Sequence, residues 1–108
     1  METSMQLARV RGNVVASVKD AGLESLKLLL LEAVDATDPD AASFIKGASA
    51  NVYVAIDLIG AGVGEVVLVV HGSAARLAAD SQHVPTDAAV VAIVDVVHLD
   101  GRSTFIKR

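Results

Sequence analysis

Three glycines at alternate positions, Gly60, Gly62 and Gly64, stand between two strongly apolar segments, and no other stretch narrows the possible folds as sharply. Glycines spaced this closely let the backbone take positive φ or approach another backbone, which residues with a Cβ rarely do. The segment before them, Asn51 to Leu58, alternates: Val52, Val54, Ile56 and Leu58 share one face, and Asn51, Tyr53, Ala55 and Asp57 share the other. That is the period of a strand. The segment after them, Val66 to Val70, is a β-branched run that at about 3.3 Å per residue can cross one side of a small barrel. A phosphate-cradling loop is excluded by the glycine spacing, by the strand that follows where a helix should start, and by Glu65, whose charge would repel phosphate.

The rest of the chain continues the pattern. From Ala8 to Val18 the even positions are apolar or small and the odd ones include Arg9, Arg11, Asn13 and Lys19, a half-buried strand with Arg9 and Arg11 on the solvated face. Gly12 predicts a bulge or sharp bend within it. Asp20-Ala21-Gly22 reads as a turn, and Leu26 to Val34 as a strand that is apolar on both faces between Leu28 and Leu31. In so short a chain, one face fills a barrel and the other needs a helix, a loop or another subunit. Asp35 to Ala50 reads as a long loop holding the apolar island Phe44-Ile45.

Ser73 is a candidate helix N-cap, with Ala74, Leu77 and Ala78 as the apolar stripe and Pro85 beyond the end. Ala89 to Leu99 reads as a fifth strand, and Asp100-Gly101 as a hairpin turn before Ser103 to Ile106. Five or six short strands and one small helix fit an all-β, OB-like barrel, although the pattern by itself leaves a sandwich open. Residues 1–4 are expected to be a flexible end and residues 5–108 a single domain.

Composition narrows the function. A lone 108-residue domain buries only about two-thirds of its unfolded surface, yet 53% of this chain is hydrophobic. The longest apolar runs are too short to span a bilayer, and no signal-peptide pattern is expected, so the surplus points to a subunit interface and not a membrane. Nine basic residues against 13 acidic give a net charge of −4 without a basic block, which argues against a nucleic-acid partner. Tyr53, Phe44 and Phe105 are the only aromatic residues, too few for a base-stacking platform.

Chemistry is equally sparse. The chain has no cysteine, which is compatible with the cytoplasm. His71, His83 and His98 lie apart with no metal-ligand spacing, so neither a metal nor a cofactor is expected. Ser73 faintly resembles a nucleophile elbow, but Ala75 stands where that motif needs glycine. Asp57 and Glu65 have no nucleophile near them in sequence, and turn hydrogen bonds are the simpler role for both. No catalytic residue is expected.

The stretch Asp57, Ile59, Gly60-Ala61-Gly62, Gly64-Glu65, the valine strand and Gly72-Ser73-Ala74-Ala75-Arg76 resembles the pentamer-forming vertex proteins of bacterial microcompartments. Leu7 to Gly12, Pro85, Asp87 and Ile93-Val94-Asp95 extend the likeness over nearly the whole chain, from about Met5 to Lys107. The resemblance implies an OB-like barrel and a non-enzymatic homopentamer that caps shell corners beside hexameric tiles, in the cytoplasm. It also implies that Asp57, Gly60, Ala61, Gly62, Gly64 and Glu65 serve packing or assembly, and that Gly72 to Arg76 are structural or inter-subunit. An OB-type module for an oligonucleotide or oligosaccharide is the alternative.

Overall fold

The computed structural model describes residues 5–17, 19, 21–23, 26–40, 52–78 and 86–108. Its elements are β1 (Met5–Val14), a 3-10 turn (Ala21–Leu23), β2 (Lys27–Ala33), β3 (Val52–Asp57), β4 (Val66–His71), α1 (Ser73–Ala78), β5 (Ala88–Ile93), β6 (Val96–Leu99) and β7 (Arg102–Ile106). The first five strands close into a barrel in the order β1-β2-β3-β5-β4, and β6 and β7 form a separate hairpin. Most barrel pairs are antiparallel. The exception is the β3–β5 seam, which is parallel and joined only at Ile56↔Ala89 and Asp57↔Val90.

The barrel is filled by small and branched residues. Ala8, Val10, Leu29, Leu31, Ala55, Val67, Val69 and Val90 pack inside it, with Tyr53 and Ile93 at the margins. Leu29 and Leu31 are about 1% exposed or less, and each such burial stabilises by roughly 2–3 kcal/mol. A second cluster lies outside the barrel, where Ile56, Val70, Ala75 and Ala89 meet Leu23, Leu26 and Leu28 under α1 and the 3-10 turn. The two-faced strand is thereby explained: Leu29 and Leu31 point in, Leu28 and Leu30 point out.

Several boundaries differ from expectation. Strand β1 runs Met5–Val14, where Ala8 to Val18 was expected, and the expected bulge lies between Val10 and Gly12. Val10 pairs with Leu31 and Gly12 with Leu30, so Arg11 is the extra residue and the alternation changes sign across it. Beyond the bulge Gly12 and Val14 face outward with Leu30 and Leu28, against the expectation that all even positions share one face. On β3 the two expected faces are kept, and the one carrying Tyr53 and Ala55 is the inner one. Ala55 and Tyr53 pack into the barrel while Val54 is 48% exposed, because the tight interior takes an alanine and the outer cluster takes Ile56.

The expected strand Ala89 to Leu99 is two strands. The chain leaves the barrel at Val94, whose amide donates to Val66 O at 2.8 Å, and re-forms as β6 paired to β7. Asp100 (φ 52°) and Gly101 (φ 76°) make the tight turn that Asp-Gly predicts. Of the long loop, Asp35 to Asp40 is described, with Thr37 N donating to Asp35 Oδ1 at 2.9 Å, which holds the Asp35 carboxyl below its usual range. Residues 1–4, the island Phe44-Ile45, His83 and Pro85 lie outside the described residues.

Candidate functional site

The glycine loop closes one end of the barrel, and two carboxylates shape it. Asp57 is 8% exposed at the end of β3. Its Oδ1 accepts the amides of Ile59 and Gly60, both at 3.0 Å, and its Oδ2 accepts that of Ala61 at 2.9 Å. This hooks the chain back on itself and drives Ala61, 0% exposed, into the barrel core as a plug. Gly60 (φ 92°) and Gly64 (φ 93°) hold the positive φ that the sequence implied; Gly62 does not. A Cβ on Gly62 would meet only Glu65 Oε1, at 3.5 Å.

Glu65 forms the second hook. Its Oε1 accepts Gly62 N at 2.7 Å and its Oε2 meets Lys107 Nζ at 2.7 Å. The Lys107 hydrogen bond and then the Gly62 amide hold the Glu65 carboxyl below its usual range, and Glu65 raises the Lys107 ammonium above its own. Backbone bonds finish the attachment: Gly64 N donates to Val10 O at 2.8 Å and Val10 N to Glu65 O at 2.9 Å, docking the loop beside the β1 bulge. Arg9, expected in solvent, instead donates to Gly64 O at 2.6 Å and pairs with Asp40 at 2.7 Å. Arg11 is likewise engaged, bonded at 2.8 Å to Glu32, which is 4% exposed.

The segment Gly72 to Arg76 lies across the barrel wall from this loop's chemistry and shares no bond with it. Gly72 (φ 64°) turns the chain out of β4, and its amide donates to Asp87 O at 2.8 Å. The helix starts at Ser73 itself, so Ser73 is its first residue and not a flanking cap, and its hydroxyl bonds none of the described groups. Ala75, 0% exposed, is the residue α1 buries, and Leu77, expected on the apolar stripe, is 65% exposed. Arg76 donates to Thr86 O at 3.4 Å and pairs with no carboxylate among the described residues. The motif therefore splits into a loop that plugs the barrel and a turn that seats one alanine against its wall.

With this geometry in place, the comparisons with known proteins decide the family. Residues 5–95 match the family model described as ethanolamine utilisation protein EutN/carboxysome. The chain belongs to the EutN/CcmL family. It is 46% identical to the microcompartment shell vertex protein EutN of Salmonella typhimurium, over 99% of this chain and 100% of that one. It is 41% identical to the carboxysome shell vertex protein CcmL of Synechococcus elongatus, over 96% and 97%. Among solved structures, the GrpN pentameric microcompartment shell protein from Rhodospirillum rubrum superposes with a TM-score of 0.67 at 36% identity, covering 87% of this chain and 96% of that one. The EutN/CcmL proteins are structural shell components, not enzymes.

Among the described residues no group of histidine, cysteine or acidic side chains could hold a metal ion. His71, half-buried at the end of β4, lies 5.6 Å from the Tyr53 ring with its Nε2 buried and unpartnered. Burial pushes the Tyr53 phenol up to about 12, and Gln6 Nε2 donates to its oxygen at 3.3 Å. His98 is exposed against Ser103. A cleft of about 470 Å³ between Arg9, Glu65, Phe105 and Lys107 has most of its charges already paired. Arg9 and Lys107 are the residues sequence reading missed, since both partners lie more than 30 positions away.

Proposed function

We propose that this chain forms a homopentamer that caps the vertices of a bacterial microcompartment, closing a shell otherwise tiled by hexameric shell proteins. The observation that carries the assembly is the apolar surface a single copy leaves bare. Val54 is 48% exposed on the barrel wall, Ile59 49% and Val63 69% on the glycine loop, Leu77 65% on α1, and Val96 43% and Ile106 61% on the hairpin. These sites are spread around the molecule, as a ring requires, because a cyclic interface joins two unlike surfaces of one chain. The number five rests on likeness to the pentameric GrpN protein.

Geometry gives the function its logic. A flat hexagonal sheet cannot close on itself, and five-fold units inserted at its corners supply the curvature. The loop and turn residues of the family motif act in this reading as scaffolding: they fix the barrel end and the α1 seat from which the subunit surfaces are presented. Light scattering on the purified protein should give a mass near five subunits; a stable monomer at micromolar concentration refutes the reading. In cells, deletion should leave hexamer sheets able to form but shells elongated or open at the corners, with escape of the enclosed pathway's intermediate. Closed shells with unchanged leakage, in a cell lacking a second vertex paralogue, would exclude the capping role.

A further inference from the structure

The pentamer reading leaves open which surfaces of the chain meet, and the hairpin answers this. Strands β6 and β7 pair only with each other, outside the closed barrel. An isolated two-stranded hairpin is marginal in water unless one of its faces is packed. One face here is: Phe105, opposite Val97, is 8% exposed. The other is not, since Val96 and Ile106 stand directly opposite each other at 43% and 61% exposure and form a bare cross-strand apolar pair. Thr104 Oγ1 to Ala36 O at 2.6 Å, Lys107 to Glu65 and Val94 N to Val66 O hold the hairpin's base, so it stands out at a fixed angle.

A matching surface exists on the barrel. Gly12, Leu30 and Val54 lie side by side across β1, β2 and β3, all facing outward. Gly12 has no side chain to cover the flank of Leu30, whose Cδ1 lies 3.7 Å from where a Cβ would stand. Val54, half exposed, ends the row at a strand edge that β5 reaches only from Ile56 onward. The row is a shallow apolar step with a raised valine at one side. The hairpin pair and this row are unlike surfaces on one chain, which is what a ring of identical subunits requires of its two contacting faces.

We infer that the Val96–Ile106 face of the β6–β7 hairpin of one copy covers the Gly12–Leu30–Val54 row of the next, making the hairpin the arm that links subunits. This rests on the pentamer reading and names its contact. The absence of cysteine gives a clean test. The Val54→Cys, Ile106→Cys double variant, oxidised under mild conditions, should give a covalent ladder ending at the ring on a non-reducing gel. Each single variant alone should give no ladder, and the two singles mixed and reassembled should give only dimers, which separates contact between copies from contact within one. Ile106→Asp should shift the mass from five subunits to one with an unchanged circular dichroism spectrum. If Ile106→Asp unfolds, the ladder decides alone. A parent of five subunits whose double-cysteine variant gives no ladder overturns the arm while leaving the pentamer standing; a monomeric parent overturns both.

Discussion

Replacing Asp57 tests whether the plug is held by the hook described above. Asp57→Ala strands three amides. That of Ala61 sits in a residue with no exposure, and a buried donor left without a partner costs about 1–3 kcal/mol. Those of Ile59 and Gly60 belong to exposed loop residues and can turn to water, losing only the net value of a hydrogen bond, roughly 0.5 kcal/mol each or a little more. The sum is about 3 kcal/mol. Asp57→Asn keeps one acceptor oxygen for two of the amides and points its NH2 at the third, setting donor against donor, so it should cost about 2 kcal/mol. At about 4 °C or more per kcal/mol for a domain of this size, the alanine variant should melt at least 10 °C below the parent. The assay is thermal and urea denaturation followed by circular dichroism, at one fixed subunit concentration because assembly couples to stability. If Asp57→Ala loses less than about 1 kcal/mol, the loop is held by something other than this carboxylate.

The glycines should separate by conformation: Gly60→Ala and Gly64→Ala each cost about 1–2 kcal/mol for a positive φ, whereas Gly62→Ala, with only an ordinary contact at 3.5 Å, should cost less than half of that in the same melts. The Glu65–Lys107 strap should show a two-sided pH dependence. Glu65's lowered pKa makes its contribution present above the ordinary glutamate range and lost as pH falls through the folded value; Lys107's raised pKa makes its own present below the ordinary lysine range and lost as pH rises through the folded value. Relative to the parent, Glu65→Gln should remove the acid limb in stability measured against pH and shrink the alkaline one, which Asp95 sustains in part; an alkaline limb of undiminished size would refute the pairing. Arg11→Met leaves the Glu32 carboxylate buried without this partner and should cost about 2–3 kcal/mol, less than a fully buried pair because Arg11 is a third exposed; a neutral result in urea titration would show that Glu32 is held by other groups.

What was legible in the sequence was local. The period of two in β1 and β3, the two-faced apolar run of β2, the Asp-Gly turn and the β-branched run of β4 each follow from rules that span a few residues. So did the need for positive φ at Gly60 and Gly64, and the bulge at Gly12. What the sequence could not show was parity and partnership. Nothing near Arg11 announces that the alternation reverses there, because a bulge is defined by the strand opposite, and Leu30 and Leu31 are 19 or more positions away. Tyr53 reads as polar and Ala55 as neutral, yet a tight barrel admits them while Val54 is turned outward. Arg9 reads as a solvated charge and Lys107 attracts no role, since their partners Asp40 and Glu65 are distant in the chain. Ser73 missed its cap because Gly72 turns the chain so sharply that the helix begins one residue early.

The extra residue in β1 bears on how such a chain can drift over generations. Arg11 adds one position to one side of a ladder, and through it the half-strand before it faces the barrel interior in one phase and the half-strand after it in the other. Point substitutions along β1 change one side chain at a time and leave that phase alone. Loss of Arg11 would close the ladder without changing which way Gly12, Asn13 or Val14 faces, because Val10 opposite Leu31 and Gly12 opposite Leu30 are already successive pairs; a ladder that took Arg11 in as a paired residue would instead carry Gly12 and Val14 inward and throw Asn13 out. Lineages carrying this barrel can therefore lose this one residue while the faces of β1 stay as they are, and an alignment gap inside Val10 to Gly12 would mark a subunit with a straighter β1 and the same outer wall.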